Sequence, residues 1–273
     1  MRGDADLPLL VGCEFVVETS QPTVAIMQVA PAPDPRVRLD IEQWETHSDH
    51  HSYVDHYGNR CERLTIPVGV SRLAYRSELC LSRPDDVIAP DAREVPIDEL
   101  PDEVLAYVLP SRFVLPDELG QEAWDLFGSL PSGWSRVQAI VDHVHGHLEW
   151  VSGASNPWTT AVDANRAGQG VCRDFAHLAI TYCRALNIPA RYAFGYLPAV
   201  DVPPPAEGMD FAAWFEVYLA DGWHTFDARN NEPRSGRVVV GRGRDATDVA
   251  LLTSFGPVTL TNFSVTAEER PSS

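Results

Sequence analysis

Positive charge is scarce in this sequence of 273 residues. It contains 21 basic residues against 39 acidic ones, which gives a formal net charge of −18 at pH 7. Nucleic acids and anionic membrane surfaces bind through clusters of basic side chains. We therefore expect neither of them as a main partner. A cationic or amine-bearing substrate is compatible with the negative charge, although the charge does not require one.

Long apolar runs and paired cysteines are also missing. Residues 1–6 contain two acids and no hydrophobic stretch, which predicts neither a signal peptide nor a membrane span and hence a cytoplasmic location. The five cysteines are odd in number, widely spaced and without a CxxC pair. This pattern argues against a disulfide framework and against a zinc site, so we expect at least one free thiol.

The chain divides by composition into a strand-rich first part, a proline-rich connection and a second part that begins with helices. Short β-rich stretches occupy the first part, and four prolines follow between residues 84 and 101. The predicted division is a small antiparallel β domain at 1–85, a linker at 86–110, a core domain at 111–266 and a disordered tail at 267–273.

In the second part, helical patterns come first and strand patterns follow. Apolar residues recur at helical spacing in three segments, at 119–127, at 136–148 and in the stretch that starts at residue 172. Strand patterns then occupy 190–196, 214–219 and 223–227. This order is typical of an α+β domain in which helices pack on an antiparallel sheet.

A cysteine at the start of the third helix is the strongest candidate nucleophile. Cys172 directly follows the glycine-rich turn Gly168-Gln169-Gly170. The free N–H groups and the positive end of a helix favour a thiolate there, and the glycines leave room for a substrate backbone. Cys183, eleven residues further along the same helix, is predicted to be a core residue.

Several ordered blocks resemble the bacterial transglutaminase-like family. They are Gly-Val-Cys-Arg-Asp at 170–174, Pro-Ala-Arg-Tyr at 189–192, Ala-Trp-Phe-Glu-Val-Tyr at 213–218, and Gly-Trp with Phe-Asp at 222–227. The resemblance covers about residues 110–265, and the first part resembles the β domain that often precedes this core. It implies a papain-like α+β core with Cys172 as nucleophile and Asp227 as the carboxylate that orients a histidine. It implies no cofactor and no metal.

The resemblance places the histidine directly before Ala213-Trp214, where this sequence has Ala212. Acid–base help from such a histidine is worth roughly 10²–10⁴-fold in rate. The implied function is acyl transfer through a Cys thioester, as peptide or isopeptide hydrolysis or as amide formation, with impaired activity. Ala212 is either natural or introduced, and the sequence leaves both open. The alternative is a non-catalytic peptide-binding module that keeps the cleft.

Other histidines are poor replacements by position. His224 lies three residues before Asp227, so on a strand it points to the opposite face, and His177 lies well round the helix from Cys172. Three more histidines, His143, His145 and His147, belong to an earlier helix whose placement the sequence does not give.

Three further residues are candidates for the substrate cleft: Trp158, Trp214 and Asp174. Each also has a structural interpretation, since Asp174 is placed to stabilise the start of the helix and both tryptophans are typical packing residues. The substrate would be a peptide, a protein or a small acyl or amine compound. The histidine-rich run at 46–51 is predicted to be a solvated turn, because no cysteine accompanies it.

Overall fold

The computed structural model describes residues 6–46, 49–82, 85–205 and 208–270. Two antiparallel sheets are built mainly from the first part of the chain. One contains β1 (Leu7–Thr19), β3 (Val37–Glu45), β6 (Gly69–Leu81) and β14 (Thr259–Glu269), in the order β14-β1-β6-β3. The other contains β2 (Thr23–Met27), β4 (His50–Val54), β5 (Arg60–Ile66) and β13 (Leu252–Ser254), in the order β13-β2-β5-β4.

The second part of the chain supplies the helices and a third antiparallel sheet. This sheet contains β9 (Ala190–Tyr196), β10 (Ala212–Leu219), β11 (Gly222–Phe226) and β12 (Val238–Gly243), in the order β11-β10-β9-β12. The helices are α1 (Pro116–Phe127), α2 (Trp134–His147), α3 (Ala161–Ala167) and α4 (Cys172–Ala185). A short parallel pair joins β7 (Glu149–Trp150) to β8 (Gln169–Gly170), and two 3₁₀ helices lie in the linker at Ile97–Glu99 and Asp102–Tyr107. The predicted α+β class is confirmed.

Helix α4 lies at the centre of the second part. It packs against the other three helices and against β9 and β10. The alternate residues Ala213, Phe215 and Val217 of β10 are buried in the same apolar cluster as the core face of α4. Cys183 is among the buried residues of that face, as the sequence predicts.

The first two sheets are held to the third by backbone and side-chain hydrogen bonds. The Ala32 N–H donates to the Val239 carbonyl at 2.8 Å, and the Tyr196 hydroxyl donates to the Val29 carbonyl, also at 2.8 Å. Because the partners of these bonds come from both parts of the chain, β9 and β12 have a fixed position against the first part.

The end of the second part differs from the predicted division. Residues 259–269 form β14, which pairs with β1 from Leu9–Glu269 to Glu18–Thr259. The predicted boundary at 266 therefore lies inside a strand of the first sheet, and residues 267–269 are strand instead of tail. Local patterns could not show this, because the partner of β14 lies about 250 residues earlier in the chain.

The histidine-rich run also differs from its prediction. His50 and His51 are the first residues of β4 and pair with Leu64 and Arg63 of β5. They are therefore part of a sheet instead of a turn. Residues 47 and 48 of this run lie outside the described residues.

Candidate active site

The start of α4 is built around two glycines and a buried carboxylate. Gly168 ends α3 with a left-handed conformation, φ 64°. The Asp174 carboxylate accepts a hydrogen bond from the Val171 N–H at 2.8 Å, which satisfies a backbone donor at the helix start. A side chain at Gly170 would lie 2.7 Å from the Asp174 Cβ. The turn before Cys172 therefore requires glycine for close packing.

Asp174 is buried in this turn and is not open to a substrate. Its second carboxylate oxygen accepts hydrogen bonds from Nε and Nη2 of Arg173, at 3.3 and 3.1 Å. Nη2 of Arg173 also donates to the Asn156 carbonyl at 2.9 Å. Asp174 thus fixes Arg173, and through it the loop of residues 151–160, beside the candidate nucleophile.

The Cys172 sulfur lies against the edge of β10. It lies close enough to the Ala213 N–H for that group to lower the pKa of the thiol, which places the sulfur near position 212. Burial raises the pKa of the Cys172 thiol; the charge of Arg229 and the Ala213 N–H lower it by less, and Asp210 and Asp227 raise it further. The sequence predicts that the helix start favours a thiolate, but burial outweighs that effect in the structure.

Position 212 lies where the pairing of β10 with β11 has ended. That pairing runs from Leu219–Gly222 to Phe215–Phe226, while on its other side Ala212 pairs with Gly195 of β9. Asp227 follows Phe226 directly, so the register of β10 with β11 places it level with Trp214. Strand alternation puts Asp227 on the face that carries Ala212 and Trp214.

Asp227 is buried and its carboxylate is fully occupied. One oxygen accepts from the N–H groups of Arg229 and Asn230, both at 3.0 Å. The other accepts from Nδ2 of Asn230 at 2.7 Å and from Nη2 of Arg237 at 2.9 Å. Burial alone would raise the pKa of Asp227, but the charge of Arg237 and the bonds from Asn230 hold it below its usual value.

Arg237 is the partner of Asp227 that sequence reasoning missed. Its Nε donates to both oxygens of Asp86 at 3.0 and 2.9 Å, and its guanidinium carbon lies 5.0 Å from the ring centroid of Trp214. Trp214 is itself buried. It therefore packs behind Asp227 and does not form an open cleft wall. No local signal marks Arg237, because it comes ten residues after Asp227 and lies directly before β12, at the opposite edge of the sheet.

Trp158 lies on the loop that Arg173 holds. Its side chain is 71% exposed, and the guanidinium carbon of Arg112 lies 5.8 Å from its ring centroid. The backbone N–H of Trp158 donates to the side-chain oxygen of Asn156 at 2.8 Å. Of the three candidates for the cleft, Trp158 is thus the exposed one.

Two of the histidines considered as replacements have other partners. His177 is buried between Phe113 and Tyr192, at ring-centroid distances of 5.3 and 5.1 Å, and burial lowers its pKa to about 4. Its Nε2 accepts from the Ala246 N–H at 3.2 Å. His224 contacts the Asp221 carboxylate at 2.7 Å.

The histidines of α2 also have partners away from the sulfur. His143 and His147 stack on each other at 5.6 Å. His145 is exposed, and its Nδ1 contacts the carbonyl oxygens of Ala228 and Arg229 at 3.2 and 3.0 Å. These contacts bring His145 to the segment after Asp227 but occupy one ring nitrogen there.

A cavity of about 170 Å³ lies beside Asp227, between α2 and the start of the linker. Its lining includes Trp134, Gln138 and Asp86, and neither Cys172 nor Ala212 belongs to it. The cavity is therefore separate from the sulfur. Within the described ranges, we find no group of three or more His, Cys, Asp or Glu residues that could hold a metal ion. Of the helices in the same ranges, none is long and apolar enough to cross a membrane.

Comparison with known proteins agrees with this geometry. The family model described as the transglutaminase-like superfamily matches residues 126–228, a range that contains Cys172, Ala212 and Asp227. These residues form a transglutaminase-like core. The solved structure of a candidate cysteine protease from Cytophaga hutchinsonii is similar over 98% of this chain and 92% of its own, with 28% identity and a TM-score of 0.89. The two-part architecture is therefore shared with that protein.

Curated relatives match a shorter stretch. An uncharacterized protein of Mycobacterium leprae is 38% identical over 120 residues, and one of Mycobacterium tuberculosis is 35% identical over 123 residues. The matches span 42% and 41% of this chain and 42% and 39% of those proteins. The chain is thus aligned with about two fifths of the length of each, and the transglutaminase-like core is what the comparisons establish.

Proposed function

We propose that the chain is a thiol acyl-transfer scaffold whose Cys172 acts as nucleophile and whose turnover is impaired because Ala212 stands in the place of a histidine. The observation that supports this most directly is the position of the Cys172 sulfur beside the Ala213 N–H of β10, with Asp227 directly after the neighbouring strand β11. A nucleophile, a carboxylate and the position between them are thus contributed by three adjacent elements.

The proposed step is attack of the Cys172 thiolate on an amide or ester carbonyl carbon. A C–S bond forms, the carbonyl oxygen takes the negative charge, and collapse releases an amine or alcohol that takes up one proton. Water or a second amine then attacks the thioester, giving an acid or an amide, and the sulfur regains its proton. Without a histidine, water must accept and donate both protons, which is why we expect slow turnover.

A non-catalytic binding module is the second candidate, and the surroundings of Asp227 favour it. Its two oxygens accept four hydrogen bonds, from Arg229, Asn230 and Arg237. A carboxylate has about four acceptor positions. An imidazole at position 212 would have to share an acceptor position that is already occupied. The hydrogen bonds of this carboxylate therefore suit a structural role, in which it holds the segment after β11 in place.

The test is single-turnover acylation by a panel of activated esters, followed by intact mass, on the chain with Ala212 and on Ala212→His. We expect Ala212→His to acylate and release its acyl group roughly 10²–10⁴-fold faster than the chain with Ala212. Ala212→Asn is the matched control, because it adds a polar side chain without a base near neutral pH. Cys172→Ala in the Ala212→His background must abolish the added mass.

Each outcome supports a different function for the site. Fast acylation of Ala212→His alone supports an impaired acyl-transfer site. Turnover by the chain with Ala212 at the same rate would show that another group serves as base and would overturn the role given to Ala212. If neither protein acylates on Cys172, the binding module is the better description. Under either proposal the substrate is a peptide, a protein or a small acyl compound, and the location is cytoplasmic.

A further inference from the structure

Positive charge collects around Cys172 although the protein as a whole is strongly acidic. All 21 basic residues are arginine, since the sequence contains no lysine. Three of them, Arg112, Arg173 and Arg229, lie on the segments that border the candidate nucleophile. Arg173 is paired with Asp174. For Arg112 and Arg229, the described part of the chain provides no carboxylate within ion-pair distance.

Arg229 is placed by the same elements that build the site. It follows Asp227 by two residues, and its guanidinium carbon lies 4.8 Å from the ring centroid of Trp150. Trp150 pairs with Gly170, two residues before Cys172, and the Val151 N–H donates to the Gly170 carbonyl at 3.1 Å. The guanidinium is therefore supported on an indole ring beside the glycine turn. Stacking of this kind leaves its N–H donors directed outward.

Arg112 is supported in a similar way on the neighbouring loop. Its guanidinium carbon lies 5.4 Å from the Phe113 ring centroid and 5.8 Å from that of Trp158. The Arg173 guanidinium carbon lies 5.7 Å from the same Phe113 ring. Arg112 is thus linked to the residue after Cys172 through one shared aromatic ring.

Resting on the proposed function, we propose that Arg229, with Arg112 as a second positive charge, selects acyl donors that carry a carboxylate close to the carbonyl attacked by Cys172. A guanidinium binds a carboxylate through two parallel hydrogen bonds, and such recognition is strongest where water is partly excluded. Stacking on Trp150 and Trp158 holds the two guanidinium groups before a donor arrives, which lowers the entropy lost on binding.

One carboxylate opposes this selection. Asp210 lies near Arg229; partial desolvation raises the pKa of Asp210, and the hydrogen bond from the Phe211 N–H and the charge of Arg229 lower it by less. One oxygen of Asp210 accepts from the Phe211 N–H at 2.7 Å. Asp210 therefore shields part of the Arg229 charge without forming an ion pair with it.

The first test compares two alkylating reagents of nearly equal shape, iodoacetate and iodoacetamide. Their rate constants at Cys172 are followed by peptide mass spectrometry, and the iodoacetate-to-iodoacetamide ratio is compared with that of the same chain unfolded in urea. The ratio cancels the thiolate fraction, which affects both reagents equally. We expect the folded ratio to exceed the unfolded one by about five- to tenfold. The ratio should fall when the ionic strength is raised to about 0.5 M.

Variants assign the effect to individual residues. Arg229→Gln should lower the ratio about threefold or more, Arg112→Gln by less, and Asp210→Asn should raise it. Arg63→Gln, which removes an exposed arginine from β5, is the matched control for net charge and should leave the ratio unchanged. Arg229→Lys keeps the charge and should retain most of the ratio. A folded ratio equal to the unfolded one, or one insensitive to Arg229→Gln, overturns the proposal.

A second test identifies the anion. Acylation of Cys172 is compared for p-nitrophenyl esters of succinic acid, of its monoamide and of phosphonopropionic acid. We expect the succinate ester to react fastest, and Arg229→Gln to remove its advantage over the amide. A preference for the phosphonate would overturn the carboxylate assignment, and equal rates would overturn anion selection. Alkylation needs no acyl transfer, so the first test can succeed even if the proposed function fails.

Discussion

The two halves of the candidate site differ in what holds them in place. On the nucleophile half, Cys172 is fixed by a capped helix start and by the Ala213 N–H. On the acid–base half, Asp227 is fixed by Arg237 and Asn230, and position 212 is an alanine packed against Trp214. On both halves, the residues around the candidate site are held by hydrogen bonds that also support the fold. An alanine at position 212 is therefore compatible with the architecture.

The largest expected effect on stability lies on the acid–base half. Arg237→Gln would leave Asp227 and Asp86 buried without their shared positive partner, and breaking a buried pair of this kind costs about 3–5 kcal/mol. Urea unfolding measures this loss of stability. Arg244→Gln, which breaks a surface pair with Asp248, is the control and should cost at most about 1 kcal/mol. If the two variants lose the same free energy of unfolding, the Asp227–Arg237 pair contributes no more to stability than a surface ion pair.

A pH series tests a second buried ion network, which is centred on Glu216 of β10. Glu216 is buried between Arg191 and Arg242; burial alone would raise its pKa, but the two arginines lower it from 4.5 to about 2. The folded pKa is below the unfolded one, so this stability is fully present above about pH 4.5 and is lost as the pH falls toward 2. The amount is roughly 3 kcal/mol. Glu216→Gln should remove this contribution. The measurement is the change in the urea unfolding midpoint between about pH 5 and about pH 2.5, which lie near the two ends of the pH range in which the contribution is lost. An unchanged pH dependence would contradict the assignment.

A smaller effect is expected on the nucleophile half. Asp174→Ala removes the acceptor of the Val171 N–H and frees Arg173, which should cost about 1–2 kcal/mol by urea unfolding. Asp163→Ala, in the exposed cap of α3, is the matched control for loss of a capping carboxylate. Because Arg173 holds the loop of residues 151–160, Asp174→Ala should also change the alkylation rate of Cys172, while Asp163→Ala should not.

The smallest effect concerns the reactivity of the thiol itself. Burial raises the pKa of Cys172, so its alkylation by iodoacetamide should increase about tenfold per pH unit from pH 7 to 9. Ala212→His should flatten this profile if an imidazole takes the proton. Cys183 is buried within the same helix and should stay unlabelled in the folded protein throughout, which provides an internal control. A flat profile in the chain with Ala212 would show a thiolate already present at pH 7.

Sequence patterns predicted the parts of the fold that depend on local order. The strand at residues 190–196 has the predicted limits, and α4 begins at Cys172 as the glycine turn indicates. The strands at 214–219 and 223–227 were located to within two residues. These elements are specified by periodicity, glycine and proline, all of which can be read along the chain.

What could not be predicted depends on distant pairing. Arg237 meets Asp227 because β12 lies at the far edge of the third sheet and the chain returns past Trp214. Arg229 is supported by Trp150 because β7 pairs with β8 just before Cys172. Neither contact leaves a pattern in the neighbouring residues. The positions of Cys172 at the start of a helix and of Asp227 at the end of a strand could therefore be predicted, whereas the arginines that surround them could not.

The return of β14 to β1 has a consequence for how the chain acquires its structure during synthesis. β1 lies between β14 and β6, so its β14-facing edge stays open until residues 259–269 have been made. Pairing across about 250 residues closes a long loop and is slow compared with local hairpins. The strands β1, β3 and β6 of the first sheet are thus made early, and the sheet is completed only when β14 has been made. In that interval the unpaired edge of β1 is where the nascent chain is most exposed to pairing with a wrong partner.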